Sequence, residues 1–337
     1  MAVDMMLTAD MQDINQWDVV TVGSGKTLEI STDTARTGTR SFKMFGSNSS
    51  SALNMSKNCS SRADYYFKVC FYAVSNNTNV GNYPVYINFR EGSTIHVSIE
   101  ICVYGGIKVY RNATYLGSAS GVNIAANTWY CLEGYVKIND TTGEVTLKID
   151  GTQVANLTSK DTKNGGAGNI DNLQIIASTY YTFFYFDDIV MRDDTWPGRG
   201  GIIVLGPTSD GSVDNWTASA GNQYECVDDN PPNDYTDYIS TDVSTLNTVQ
   251  LFGMSDLSGT FNSIPVVACV SKAKLDGAGS GNIRGIIKSS SSYGNGNSVG
   301  LNTSSKYVHA CFTTNPNGGG AWNKAAVDAL EAGVETI

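Results

Sequence analysis

Strict alternation of apolar and polar residues in the first half of the chain limits its fold more than any other feature. The apolar members of this run are Ile95, Val97, Ile99, Ile101 and Val103. The residues between them are His96, Ser98, Glu100 and Cys102. A period of two places alternate side chains on opposite faces of a β-strand. The pattern therefore predicts a half-buried strand, with His96 on its outward face.

Further runs of this kind predict strands over most of the first half of the chain. They are Leu28–Ser31, Ser41–Phe45, Tyr65–Phe71, Val85–Phe89, Ile107–Tyr110, Trp129–Ile138, Glu144–Ile149, Leu173–Ser178 and Phe183–Met191. No segment before residue 197 has a sustained helical period. Charged residues make up only 16% of the chain, and Gly, Ser, Thr and Asn supply many turns. So many antiparallel strands predict two packed sheets, a sandwich of jelly-roll type.

Three segments of this half form a recognisable set: the strand Trp129–Val136, the hairpin Gly143–Gly151 and the closing strand Phe186–Val190. Together they resemble the concanavalin A-like lectin and laminin-G superfamily. The resemblance covers roughly residues 1–195 and implies a sandwich fold. It implies little about function, because the same sandwich serves enzymes, lectins and structural proteins.

The segment Arg192–Gly201 is polar and rich in turn formers, which is typical of a short domain linker. A chain of 337 residues is also long for one compact core. We therefore predict a lectin-like β-sandwich domain over residues 1–197 and a smaller C-terminal β module over residues 198–337.

The second domain is predicted to be β-rich and to end in one short helix. Its predicted strands are Ile202–Leu205, Val249–Phe252, Ser263–Ser271, Gly281–Lys288 and Val308–Thr313. The segment Asn323–Ala332 has a helical period, with Val327 and Leu330 on one face and Gly333 as the C-terminal cap. The predicted fold class of the whole chain is all-β.

Several segments of the second domain carry a further resemblance. They are Asp214–Thr217, Val227–Asp234, Thr236–Ser240, Asn315–Pro316 with Ala321–Trp322, and Ala329–Val334. They resemble the C-terminal module of phage tail and other virion proteins, commonly found behind a lectin-like domain. The resemblance covers about 135 residues, and it implies a location on a virion and little chemistry.

The sequence lacks the common catalytic motifs. Glucanases of this sandwich fold place carboxylates in an E-x-D-x-x-E pattern, about 5 Å apart in retaining enzymes, and no glutamate of this chain falls in that spacing. His96 and His309 are the only histidines and lie in different predicted domains. A Walker-type loop, a G-x-G-x-x-G helix start and an H-E-x-x-H motif are all absent from the sequence. We therefore expect a protein that is not an enzyme.

Three acidic pairs could supply hard oxygen ligands to Ca²⁺. They are Asp187 with Asp188, Asp193 with Asp194, and Asp228 with Asp229. None has the D-x-D-x-D-G spacing, so the alternatives are solvated turn carboxylates or a hydrogen-bond network between domains. No other cofactor is expected. The seven cysteines include no C-x-x-C pair and are expected to be free thiols packed in strands.

Aromatic residues next to polar ones favour sugar binding, because a ring stacks on the apolar face of a pyranose while Asn and Asp bind its hydroxyls. Tyr235 and Tyr238, beside acidic groups, are the best candidates. Alternation places about half of the aromatic residues between Tyr180 and Phe186 in the core, and Trp129 is expected inside as well.

The bulk charge limits the partners. A net charge of −10 and a pI near 4.6 argue against nucleic acid, which requires clustered Lys and Arg. The first residues lack a basic signal-peptide region, and no apolar run reaches the roughly 18 residues of a membrane span. We expect assembly in a host cytoplasm and a final location on the virion, without membrane insertion.

These observations favour a non-enzymatic phage virion structural protein exposed on the particle surface, either as a tail fibre or adhesin or as a capsid decoration. The expected partners are other virion proteins, further copies in a homo-oligomer, with a trimer as the guess, and host-surface carbohydrate. The alternatives are a host-recognition lectin and a glycan depolymerase.

Overall fold

The computed structural model describes residues 3–46, 51–74, 84–177, 183–232 and 236–337. Two compact units divide the chain. The N-terminal unit is Asp4–Ile203, and the C-terminal unit is built mainly from Val204–Ile337.

The strands of the N-terminal unit are short, and the pairs whose register is known are antiparallel. They are β1 (Val3–Leu7), β2 (Val19–Val22), β3 (Thr27–Ser31), β4 (Ser41–Phe45), β5 (Leu53–Arg62), β6 (Asp64–Ala73), β7 (Val85–Glu91), β8 (Thr94–Cys102), β9 (Gly106–Arg111), β10 (Thr114–Ser118), β11 (Trp129–Lys137), β12 (Gly143–Ile149), β13 (Thr152–Lys160), β14 (Ile170–Ala177) and β15 (Phe183–Arg192). The first sheet has the order β13-β12-β11-β6-β15-β4-β3, and β1 pairs with β15. The second sheet has the order β10-β9-β8-β7-β14-β5-β2.

The core of this unit lies between the two sheets. In β6, Phe67, Val69 and Phe71 are buried in the core, while Lys68 and Tyr72 lie on the other face of the strand. Because side chains alternate between faces, each strand contributes every second residue to the core. Each large apolar side chain that is fully buried there contributes about 1.5–3 kcal/mol. The predicted jelly-roll sandwich is confirmed.

The C-terminal unit is also β-rich. Its elements are β16 (Pro207–Asp214), β17 (Thr217–Ala218), β18 (Ile239–Ser240), β19 (Val249–Met254), β20 (Val267–Ala273), β21 (Gly281–Ser289), β22 (Ser292–Asn295), β23 (Val299–Leu301), β24 (Lys306–Phe312), α1 (Lys324–Asp328) and β25 (Glu331–Thr336). The main sheet has the order β16-β19-β25-β21-β22, with β23 beside β21. Trp322, Val327 and Leu330 pack with Ile287 of β21 in the core of this unit.

Two predictions for this unit are wrong. The helix ends at Asp328, and the residues predicted to complete and cap it form β25, the middle strand of the main sheet. Gly333 therefore lies inside a strand, where a Cβ atom would come within 1.8 Å of the Gln250 carbonyl oxygen. The segment Ile202–Leu205 is not a strand, and Ile203 is largely exposed.

The only α-helix in the described ranges is α1, and no helix there combines the length and the apolar character needed to cross a membrane. Short 3₁₀ turns occur at Ala9–Met11, Ile14–Gln16 and Tyr224–Cys226.

Candidate functional site

A row of polar side chains crosses the second sheet on the face turned away from the core. Asn88 of β7 lies opposite Gln174 of β14 on one side and opposite Ser98 of β8 on the other. Their strand neighbours, such as Ile87 and Ile175, enter the core. Since successive side chains alternate, the polar residues point to the outer face of the sheet.

Hydrogen bonds join this row into a chain. The Ser98 hydroxyl donates to Asn88 Oδ1 at 2.7 Å, and Asn88 Nδ2 donates to Gln174 Oε1 at 3.0 Å. Gln174 Nε2 donates to Asn54 Oδ1 of β5 at 3.5 Å. We refer to Asn54, Asn58, Asn88, Ser98, Asn172 and Gln174 as the amide face. Each amide has two donor hydrogens and two acceptor lone pairs, so these bonds orient the groups and leave part of their capacity for a ligand.

Asn172 has an acceptor without a partner. Its side chain is 7% exposed, and its Nδ2 donates to Asn58 Oδ1 at 3.0 Å. Its Oδ1 is buried and accepts no hydrogen bond within the described residues. Arg90 lies opposite Asn172 on β7, and its buried Nε donates no hydrogen bond to a described residue. Leaving such a group unsatisfied costs about 1–3 kcal/mol.

Tyrosines and an ion pair border the amide face. Tyr110 of β9 lies opposite Ser98, and its ring meets that of Tyr115 edge-on at 5.8 Å. Tyr115 is 56% exposed. Lys108 Nζ is 2.8 Å from Glu100 Oε1. Burial, and then the nearby Glu100 carboxylate, raise the pKa of Tyr86 to about 12, so this phenol is neutral and can donate a hydrogen bond.

His96 is fully buried, and it precedes the core residue Val97. A β-bulge lies beside it, because Phe89 pairs with Val97 while Arg90 pairs with Ile95. Its place on the outward face stays a prediction, since Ser98 and Glu100 further along β8 are buried as well. The Nδ1 of His96 accepts from the Asn164 backbone N–H at 3.0 Å, and its Nε2 lies 3.2 Å from Glu91 Oε2. Both ring nitrogens therefore have partners within the protein.

The outer face of the first sheet carries an aromatic group. Trp129 is half-buried there beside Tyr72 at 5.6 Å between ring centroids, so the prediction that it packs inside is wrong. Tyr72 in turn meets Tyr185 at 5.9 Å. The predicted division of the aromatic run on β15 is confirmed for the described residues, since Phe184 and Phe186 are in the core and Tyr185 is not.

The first acidic pair is buried and bonded to the protein. The Asp187 carboxylate accepts from the backbone N–H groups of Arg36 and Thr37, each at 3.2 Å. Asp188 accepts from Arg36 Nη1 at 2.5 Å and from the Ile202 N–H at 2.6 Å. Burial, and then the Asp188 charge, raise the pKa of Asp187 to about 7. Through these hydrogen bonds the pair binds Arg36, Thr37 and Ile202 to β15, so it is not a solvated turn.

The other candidate ligands do not come together. Asp193 pairs with Arg62 at 2.8 Å, and Asp194 accepts from Arg192 at 2.6 Å and 2.8 Å, which lowers the pKa of Asp194. Asp228 and Asp229 are exposed in the C-terminal unit. Within the described ranges, no group of three or more His, Cys, Asp or Glu side chains is placed to hold a metal ion.

The two tyrosines proposed for sugar binding are not in the amide face. Tyr238 is 53% exposed in the C-terminal unit, and Tyr235 lies outside the described residues. The sequence analysis missed the amide face, although a signal was present. Asn is depleted in strands, yet Asn54 and Asn58 occur in β5, Asn88 in β7 and Asn172 in β14.

No protein-family model matches the chain, and a search of curated proteins found no match. Three of the solved structures that match are as follows. The endo-β-1,4-glucuronan lyase of the fungus Trichoderma reesei is 14% identical over 54% of this chain and 92% of the lyase, with a TM-score of 0.42. Cellulose induced protein Cip1 is 14% identical over 58% of this chain and 100% of its own, with a TM-score of 0.46. A conserved carbohydrate esterase from the Shiga toxin-encoding bacteriophage phi24B is 15% identical over 57% of this chain and 100% of its own, with a TM-score of 0.40.

These comparisons correct one prediction. The absence of catalytic motifs led to the prediction that the chain is not an enzyme. That prediction is wrong, because the matching structures include a glucuronan lyase and a carbohydrate esterase. At these identities the likeness concerns the fold, and it assigns no reaction to this chain.

Proposed function

We propose that the N-terminal unit binds a glycan on the amide face. The observation that carries the proposal is the hydrogen-bonded row from Ser98 through Asn88 and Gln174 to Asn54, which crosses four adjacent strands. Neighbouring strands are about 4.8 Å apart, so the row spaces amide donors and acceptors at regular intervals. Asn54 and Gln174 are half-buried, whereas Asn88 and Ser98 are buried between their neighbours. Successive hydroxyl groups of an extended oligosaccharide can pair with these donors and acceptors.

The bordering tyrosines supply the second part of a sugar site. Tyr115 is exposed next to Tyr110, so its ring can stack on the apolar face of a pyranose. The amides are also held in place before binding, which reduces the ordering cost of the complex. A purely structural role explains the row less well, because β-branched residues at these outer positions would stabilise the strands more.

We further propose that this unit is displayed on a phage particle by the C-terminal unit. Support comes from the segments that resemble the virion module, among them Asp214–Thr217 and Ala329–Val334. The partners would then be other virion proteins and sister copies in a homo-oligomer, with a trimer as the working number. Several weak glycan contacts on one particle add to a strong attachment. The copy number per particle, measured by mass spectrometry, separates a capsid decoration from a tail fibre.

Glycan-array screening followed by titration calorimetry tests the binding proposal. Asn88→Ala and Gln174→Ala are expected to weaken the Kd of the best ligand by about tenfold each, since each removes hydrogen bonds worth about 1.5 kcal/mol. The matched control is Asn156→Ala, because Asn156 is an exposed strand asparagine on β13 of the first sheet. The glycan incubated with the wild-type protein should also be analysed for shorter products, which would reveal cleavage.

Failure to bind any glycan would refute the proposal. Equal binding by the wild type and both amide-face variants would place the glycan elsewhere on the molecule.

A further inference from the structure

One end of the amide face contains a cation and an acceptor that no described residue uses. Arg90 and Asn172 are directly opposite each other on β7 and β14. Their strand neighbours Phe89 and Leu173 are in the core, so both polar side chains point to the amide face.

Arg90 differs from other cations of the second sheet, whose side chains pair with carboxylates. Lys108 pairs with Glu100 at 2.8 Å, Lys57 with Asp18 at 2.8 Å, and Arg111 with Asp161. The Arg90 side chain forms no ion pair or hydrogen bond with any residue in the described part of the chain, although it is half-buried and the protein carries a net charge of −10. A half-buried guanidinium without a partner is costly, and its planar fork fits an oxyanion better than any other side chain does.

Asn172 adds the second, independent observation. Its Oδ1 is an acceptor and needs a donor, which an anion cannot supply but a hydroxyl group can. A ligand that satisfies both residues therefore carries an anionic group for Arg90 and a neighbouring hydroxyl for Asn172. Because no described residue holds the guanidinium in place, it can turn to the ligand.

We propose that Arg90 and Asn172 form an acidic-sugar subsite, in which Arg90 binds the carboxylate or sulfate of a saccharide and Asn172 Oδ1 accepts a hydrogen bond from an adjacent hydroxyl. This inference rests on the proposed glycan binding and narrows it to anionic glycans. The amide row then binds the remaining hydroxyl groups of the same chain.

The test compares three probes of equal length by calorimetry: a uronic-acid oligosaccharide, the same oligosaccharide with its carboxyl groups reduced to alcohols, and a sulfated neutral oligosaccharide. The wild type should bind at least one acidic probe about tenfold or more tightly than the reduced probe, and this preference should fall as salt is raised. Arg90→Gln should abolish the preference, and Arg90→Lys should restore only part of it, because it returns the charge without the planar fork. Asn172→Ala should weaken both acidic and reduced probes.

Arg111→Gln is the matched control, since this arginine of β9 is already paired with Asp161, and it should leave the preference unchanged. Binding of the uronate alone identifies a carboxylate site, and equal binding of the sulfated probe identifies a general oxyanion site. If the wild type binds the reduced probe as tightly as both acidic ones, or if Arg90→Gln keeps the preference, the subsite is refuted while glycan binding stands. If none of the probes binds and the glycan array is also negative, both proposals fail together.

Discussion

At the scale of single residues, the clearest departure from expectation is a disulfide. Cys70 and Cys131 are bonded to each other, so the prediction of free thiols is wrong for this pair. They lie directly opposite each other in the pairing of β6 with β11. A separation of 61 residues in sequence gives no sign of this contact, because the register of two strands is set by packing across the whole sheet.

Reduction of this disulfide should lower the free energy of unfolding of the N-terminal unit by about 2–4 kcal/mol, because the bond restricts the unfolded chain. Urea unfolding of the oxidised protein, the reduced protein and the Cys70→Ser, Cys131→Ser double variant measures the effect. Cys226→Ser, which removes a thiol from the C-terminal unit, is the control. The same urea midpoint in all of these samples would contradict the expectation.

Lys68 provides a second prediction, concerning pH. It is buried on β6 opposite Glu133, its Nζ donates to the Gly200 carbonyl, and burial lowers its pKa to about 8. Between this value and its unfolded pKa of about 10.4, the unfolded chain holds a proton that the folded chain has lost. The stability contributed by this residue therefore rises with pH through that interval, by at most about 3 kcal/mol.

The measurement is the melting temperature of the wild type and of Lys68→Met from pH 7 to pH 10.5, a range that follows from the pKa shift. The melting temperature of the wild type should rise relative to that of the variant as pH increases, because only the wild type carries the buried amine. A difference between the two proteins that stays constant over this range would show that Lys68 does not titrate abnormally.

At the scale of elements, β25 shows how packing overrides local preference. The helical period predicts a helix over Asn323–Ala332 with Gly333 as its cap, yet Glu331–Thr336 pairs with β19 on one side and β21 on the other. Gly333 permits this arrangement, because only a residue without a Cβ atom can approach the Gln250 carbonyl so closely.

Gly333→Ala should therefore destabilise the C-terminal unit by about 1–3 kcal/mol or more, as overpacking in a core does. Gly206→Ala is the control, since a Cβ atom at Gly206 meets no neighbour within 4 Å. Chemical denaturation of both variants provides the comparison. Equal stability of Gly333→Ala and the wild type would mean that β19 and β25 can separate without cost.

The sequence predicted the strands whose apolar residues alternate, such as β8 and β12, because burial of one face leaves a period of two. It did not predict β5, whose residues Leu53–Arg62 are mostly polar. The reason is physical: β5 contributes Asn54 and Asn58 to the amide face, and Leu53, Met55 and the half-buried Cys59 are its apolar residues at the core. The candidate site was missed for the same reason, because it exists only when β5 and β14, which are distant in sequence, are placed beside the hairpin of β7 and β8.

At the scale of the whole molecule, the N-terminal unit holds its own core, its disulfide and the complete amide face. A fragment comprising residues 4–203 should therefore fold alone, with a cooperative thermal transition, and should bind soluble glycan with the same Kd as the full chain. A fragment that unfolds without a cooperative transition would show that the C-terminal unit is needed for folding.

The same fragment separates intrinsic affinity from multivalent attachment. If the full chain forms the proposed homo-oligomer, its retention on a densely glycan-coated surface should exceed that of the fragment by a factor on the order of 100, because rebinding by linked sites is intramolecular. In solution, with a monovalent ligand, the two should bind equally, since the site itself is unchanged. Surface-plasmon resonance at several glycan densities, with the mass of each species measured by light scattering, distinguishes these cases. Equal retention at every density would contradict oligomeric display and would leave the amide face as a site that acts singly.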